Sequence, residues 1–188
     1  MYRAVAWRAR QMGVDLTDAE AVASVADRAV FGVSERIEID GHDVTTIIRT
    51  TEIDAAAAII ARHGEVRRVL VARQRAIGQK GGVVMEGRDI GTVVFPQADV
   101  KVYLDASPEE RARRRAQDSS HAAGQAGASV DAVGQIAQAL EARDRSDRTR
   151  AVSPLTLAAD AVYIDTTGLT IDAVVSQVMT LVNRRLPT

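Results

Sequence analysis

The sequence predicts an α/β fold built around a parallel sheet, and three observations carry that prediction. Apolar runs at residues 83–86, 100–105 and 161–165 have strand length and end in charged or turn residues. Stretches with helical apolar spacing separate them, and strands that alternate with helices favour parallel pairing through crossovers. The 188 residues, 46% of them hydrophobic, suffice for one domain, residues 1–188, with a core and a small inserted unit.

Each element follows from a local signal. Residues 2–12 repeat apolar side chains at helical spacing and carry Trp7, the single tryptophan. Thr17, Asp18, Ala19 and Glu20 form a capping region for a helix running to Ala29. At Arg36, Ile37, Glu38 and Ile39 the period changes to two, and Asp40-Gly41 is a turn pair that predicts a hairpin into residues 42–46. This β unit lies between helices and reads as an insertion. Helices are expected over residues 52–62 and 65–76, broken near Gly64, the second bearing Arg67, Arg68, Arg73 and Arg75. Gly78, Gly81 and Gly82 form a joint into the strand at 83–86. After the strand at 100–105, Ser107 is a helix cap and Pro108 the first helical residue. Residues 121–129 are a stretch of mostly small residues that predicts a mobile loop between two helices. A strand at 161–165 and an amphipathic helix at 171–186 close the chain.

Composition narrows the class. With no cysteine there is neither a disulfide framework nor a thiolate metal site, which fits a reducing compartment. His42, His63 and His121 lie far apart without ligand spacing, so no protein metal site is expected. No segment approaches the roughly 20 apolar residues of a membrane span, and the first ten residues already hold Arg3, Arg8 and Arg10, unlike a secretory signal. A soluble, cytoplasmic protein is expected, and a monomer if the chain is full-length. A nucleic-acid binder is disfavoured, because the net charge is −1 and no aromatic platform accompanies the basic clusters.

The basic residues are nearly all arginine, with Lys80 and Lys101 the only lysines. A guanidinium fork grips phosphate or carboxylate bidentately, which an ammonium does not. Arg111, Arg113, Arg114 and Arg115 precede the small-residue loop, and Arg143, Arg145, Arg148 and Arg150 follow it, interleaved with Asp144 and Asp147. On a helix, Arg143 faces Asp147 and Asp144 faces Arg148 at i,i+4, the pattern of a solvated salt-bridged face. A mobile segment bounded by arginines also suits phosphoryl transfer, where catalysis is positioning, charge neutralisation and exclusion of water. Beyond the apolar run at 83–86, Arg88 and Asp89 place a cation beside an anion where open α/β sheets bind ligands.

Residues 86–96 (EGRDIGTVVFP), the run at 100–105 and residues 142–150 (ARDRSDRTR) together resemble the bacterial cytidylate kinase family, and the resemblance extends over essentially the whole chain. It implies the parallel-sheet P-loop nucleoside monophosphate kinase fold, with residues 30–76 as the nucleoside monophosphate-binding subdomain and 111–146 as the lid. The implied reaction transfers the γ-phosphoryl group of ATP, with Mg²⁺, to CMP or dCMP. Carried over by position, Arg3, Arg88 and Arg150 would hold the acceptor's phosphate. Asp89 would accept from the cytosine amino group while Arg67 donates to the same base. Arg143 and Asp147 would position the sugar, and Arg111 and Arg115 would meet the ATP phosphates. Arg88, Arg143, Asp147 and Arg150 are the expected catalytic group. The chain departs from the family at Ala58, where a base-site serine is expected, and at Ser146, where an arginine is expected.

It also departs at its start. No G-x-x-x-x-G-K-[ST] loop occurs in the 188 residues, and the run Gly78-Gln79-Lys80-Gly81-Gly82 precedes a strand rather than a helix. In the family's layout the absent strands include the central one, so the strands at 83–86 and 100–104 are expected to flank an open slot. Two outcomes are open: the chain belongs to a longer, active kinase, or it is a CMP-binding module that transfers nothing.

Overall fold

The computed structural model describes residues 1–33, 35–79, 81–118, 130–149 and 152–186. Two helices open the chain, α1 (Tyr2–Gln11) and α2 (Ala19–Arg28). Asp18 caps α2 by accepting from the Ala21 amide at 2.9 Å, which satisfies one of the orphan donors at a helix start. A three-stranded antiparallel sheet follows: β1 (Phe31–Val33), β2 (Ile37–Ile39) and β3 (His42–Asp43), in the order β1-β2-β3. The turn between β2 and β3 has φ of 51° at Asp40 and 75° at Gly41, the two positive values of the tight hairpin that the Asp-Gly pair predicts. Strand β1 had no alternating pattern in the sequence. It joins the sheet through pairs such as Phe31 with Ile39.

A short 3₁₀ turn (Ile47–Arg49) leads to α3 (Thr51–Ile60), capped by Thr50 on the Ile53 amide, and then to α4 (Gly64–Gly78). Helix α1 lies against α3, and α2 against α4. Val5, Val22, Ile39, Ile60, Val66 and Leu70 are wholly buried between them, and this main core is drawn entirely from residues 4–70.

The strand expected at 83–86 is not formed. The segment has no regular structure, belongs to neither sheet, and exposes Val84 completely. An apolar run becomes a strand only where a neighbour satisfies its backbone, and among the described residues no strand lies alongside this one. The expectation of two strands flanking a slot therefore fails at its first strand. The apolar stretch after it forms a single π-helical turn (Ile90–Val94), with Asp89 at its head. Arg75 of α4 holds this turn by donating to the Val94 carbonyl at 3.0 Å and the Val93 carbonyl at 2.6 Å. Gly78 lets α4 approach closely: a Cβ there would lie 2.2 Å from the Phe95 ring.

The parallel sheet is present in two strands, β4 (Val102–Asp105) and β5 (Val162–Asp165), in register from Val102 with Val162 to Asp105 with Asp165. Tyr103 and Tyr163 stack across it with centroids 6.0 Å apart. Ser107 caps α5 (Pro108–Gln117), as predicted. Then come α6 (Val130–Thr149) and α7 (Ile171–Arg185). The loop expected at 121–129 lies outside the described residues. Helix α5 is tied to the end of β5 by Arg114, which donates to the Thr166 hydroxyl at 2.8 Å and to its carbonyl. No residue of α7 is buried.

Candidate acceptor site

The site begins with one buried ion pair. Arg67 sits in the second turn of α4, between Val66 and Leu70, which face the core and fix its direction. It is 3% exposed and donates to the carboxylate of Asp89, itself 8% exposed. Its guanidinium also lies over the Tyr2 ring, 5.8 Å from the centroid. The Nε of Arg67 is buried with no hydrogen-bond partner among the described residues. A buried donor left unmet costs about 1–3 kcal/mol, so this atom is the strongest indication of a ligand position.

Beyond this pair, arginines from four segments gather on three other aspartates. Arg88, just past Gly87, donates to Asp144 at 3.0 Å and lies 3.5 Å from Asp147. Arg111 of α5 donates to the other oxygen of Asp144. Asp144 is buried, which pushes its carboxyl up, but the hydrogen bond from Arg111 and the charge of Arg88 outweigh burial and hold it below the usual carboxylate range. The same hydrogen bond raises Arg111. The solvated salt-bridged face expected for α6 is thus corrected at Asp144, which points inward to Arg88 and Arg111 rather than outward along its own helix.

The third aspartate, Asp54 in the first turn of α3, meets Arg3 at 2.9 Å, Arg115 at 2.6 Å and Arg143 at 3.9 Å. Arg3 and Arg143 are both lowered from the ordinary arginine value, first by burial. Repulsion adds to this, from Arg115 and Arg49 on Arg3, and from Arg88 on Arg143. Asp54 counters both. A set of partly desolvated cations in mutual repulsion is suited to take up an anion with several oxygens, such as a phosphate.

Of the residues that the sequence singled out, Arg3, Arg88, Arg111, Arg115, Arg143 and Asp147 are linked through these ion pairs and mutual charges, while Arg67 and Asp89 form their own pair, with Asp89 next to Arg88 in the chain. Arg150 lies outside the described residues. Ala58 is one turn after Asp54 on α3, half-buried. The sequence reading missed Asp54 and the inward role of Asp144. Asp54 reads as an acid placed for the helix dipole, and only the threefold convergence gives it another meaning. Among the described residues, no group of three or more His, Cys, Asp or Glu is placed to hold a metal ion. No helix there is long and apolar enough to cross a membrane.

The family model described as cytidylate kinase matches residues 1–184. The chain is 42% identical to a cytidylate kinase of Desulfitobacterium hafniense (strain Y51), over all of this chain and 81% of that protein. It is 45% identical to one of Desulforamulus reducens (strain ATCC BAA-1160 / DSM 100696 / MI-1), over 98% of this chain and 82% of that one. A bifunctional pantoate ligase/cytidylate kinase of Prochlorococcus marinus (strain MIT 9313) matches the whole chain at 41% identity over 37% of its own length. The chain belongs to the cytidylate kinase family, whose members are ATP-dependent nucleoside monophosphate kinases.

Proposed function

We propose that this chain takes CMP or dCMP as acceptor at the Arg67–Asp89 pair and the arginines around it, and that the γ-phosphoryl group of ATP is transferred there. The observation that carries the base assignment is the unmet buried Nε of Arg67 beside the Asp89 carboxylate. Cytosine presents an amino donor next to ring and carbonyl acceptors. A carboxylate accepts from the amino group while the arginine donates to its neighbours. Uracil offers an oxygen in place of the amine, and a buried carboxylate would repel it.

In the transfer, a phosphate oxygen of the acceptor forms a bond to the γ-phosphorus while the bond from that phosphorus to the bridging oxygen of ADP breaks. The protein's part is to hold the two phosphates in line and neutralise the charge on the moving oxygens. Arg3, Arg88 and Arg150 take the acceptor's phosphate, Arg143 and Asp147 position its sugar, and Arg111 and Arg115 meet the ATP phosphates. The site's aspartates Asp54, Asp89 and Asp144 are engaged with arginines, so the residues present suit Mg²⁺ carried on the nucleotide phosphates rather than in a protein cage. That ion would supply further charge neutralisation at the β and γ oxygens. Residues 30–76 and 111–146 act as the acceptor-binding unit and the lid.

The alternative is a CMP-binding module without transfer. The two separate when the chain is incubated with CMP, ATP and Mg²⁺ while binding and product are both followed. CDP formation well above UDP formation supports transfer, and CMP binding with no CDP supports the module. Absence of CMP binding removes both.

A further inference from the structure

One carboxylate in the site answers three guanidiniums. Asp54 on α3 lies within ion-pair reach of Arg3 from α1, Arg115 from α5 and Arg143 from α6. A purely structural ion pair needs one partner. Here one carboxylate, its side chain only 14% exposed, faces three guanidiniums from three helices, with Asp147 and Glu86 adding smaller opposing charge at Arg143 and Arg3. The charge left over is positive, and the guanidiniums repel one another around it. The centre of such a cluster is where an incoming phosphate, with up to two charges and three free oxygens, makes its most favourable contacts.

We infer that Asp54 is a displaceable counter-ion that holds Arg3, Arg115 and Arg143 together in the free chain, gives Arg3 up to the acceptor's phosphate, and thereby sets the affinity for the charged end of the acceptor. The inference rests on the reading that Arg3 takes up that phosphate, beside Arg143 at the sugar and Arg115 at the ATP phosphates. Asp54 acts through the arginines and is a positioning residue. While its carboxylate stays nearby, it opposes phosphate binding by like-charge repulsion, so CMP binds this chain more weakly than the arginines alone would allow. It has no such effect on a nucleoside that lacks the phosphate.

The test compares the full chain with Asp54→Asn and Asp54→Ser, titrated with CMP, with cytidine and with inorganic phosphate. Removal of the charge should tighten CMP and inorganic phosphate by about tenfold, the scale of one charged contact released, and leave cytidine unchanged. Thermal unfolding adds a second readout. Without ligand the variants should melt lower than the parent, because the arginines lose their counter-charge, and inorganic phosphate should raise their melting temperature more than the parent's. Unchanged CMP affinity, or a loss shared equally by CMP and cytidine, overturns the inference and leaves Asp54 as a structural anchor. Arg3→Gln separates this from failure of the underlying reading. Weaker CMP binding in that variant keeps the arginine site whatever Asp54 does, and unchanged CMP binding removes both the arginine site and the role of Asp54.

Discussion

The two ends of the chain bury their apolar side chains very differently. Helices α1 to α4 and the small antiparallel sheet enclose one continuous core, with Val5, Ile60 and Leu70 wholly buried. In the parallel β4-β5 pair, by contrast, Leu104 and Tyr163 are more than half exposed, and Ile171, Val175 and Met179 of α7 face solvent. The acceptor site draws on both regions. Arg3, Asp54 and Arg67 ride on the packed helices, whereas Arg111, Arg115, Arg143 and Asp144 arrive on helices that reach them through ion pairs. On the proposed reading, base recognition is built on rigid packing, and charge handling on polar contacts that can be exchanged for those of a ligand.

The contrast can be broken most sharply at the buried pair. Arg67→Met keeps the bulk of the side chain but leaves the Asp89 charge without its partner, and should cost about 3–5 kcal/mol in urea unfolding. A small loss would mean that Asp89 reaches water and the pair is not part of the packed unit. Next in size, Leu70→Ala should cost about 2–5 kcal/mol, while Leu104→Ala should stay within about 0.5 kcal/mol. Equal costs would erase the difference between the regions.

Acid probes the polar side of the contrast and has the smallest effect. The folded value of Asp144 is depressed, so its contribution is complete above the unfolded carboxylate value of about 3.9 and is lost as pH falls through the lower folded value. The urea midpoint should hold between about pH 7 and 5 and decline below about 4. Asp144→Asn, measured in parallel, should decline less steeply. An identical slope would assign the acid sensitivity to other carboxylates.

Much of this was legible in the chain. The hairpin at Asp40-Gly41, the break at Gly64 and the cap at Ser107 are local signals, set by backbone geometry and hydrogen bonding within a few residues, and all three are present. The run at 83–86 misled because periodicity reports apolarity, whereas a strand depends on a partner elsewhere in the fold. The site followed the same division. Arg88 and Asp89 stand out as adjacent charges after an apolar run. Asp54 is indistinguishable in sequence from any acid in a helix's first turn, because its role comes from arginines brought to it by three other helices.

The central claim is that the Arg67–Asp89 pair reads the acceptor base. Calorimetric titration of the chain with CMP and UMP, beside Asp89→Asn, tests it directly. The account predicts that CMP binds at least about tenfold tighter than UMP, the scale of one buried hydrogen bond to a charged group, and that Asp89→Asn removes most of that preference. Equal affinities in the parent chain, or an undiminished preference in the variant, would contradict it.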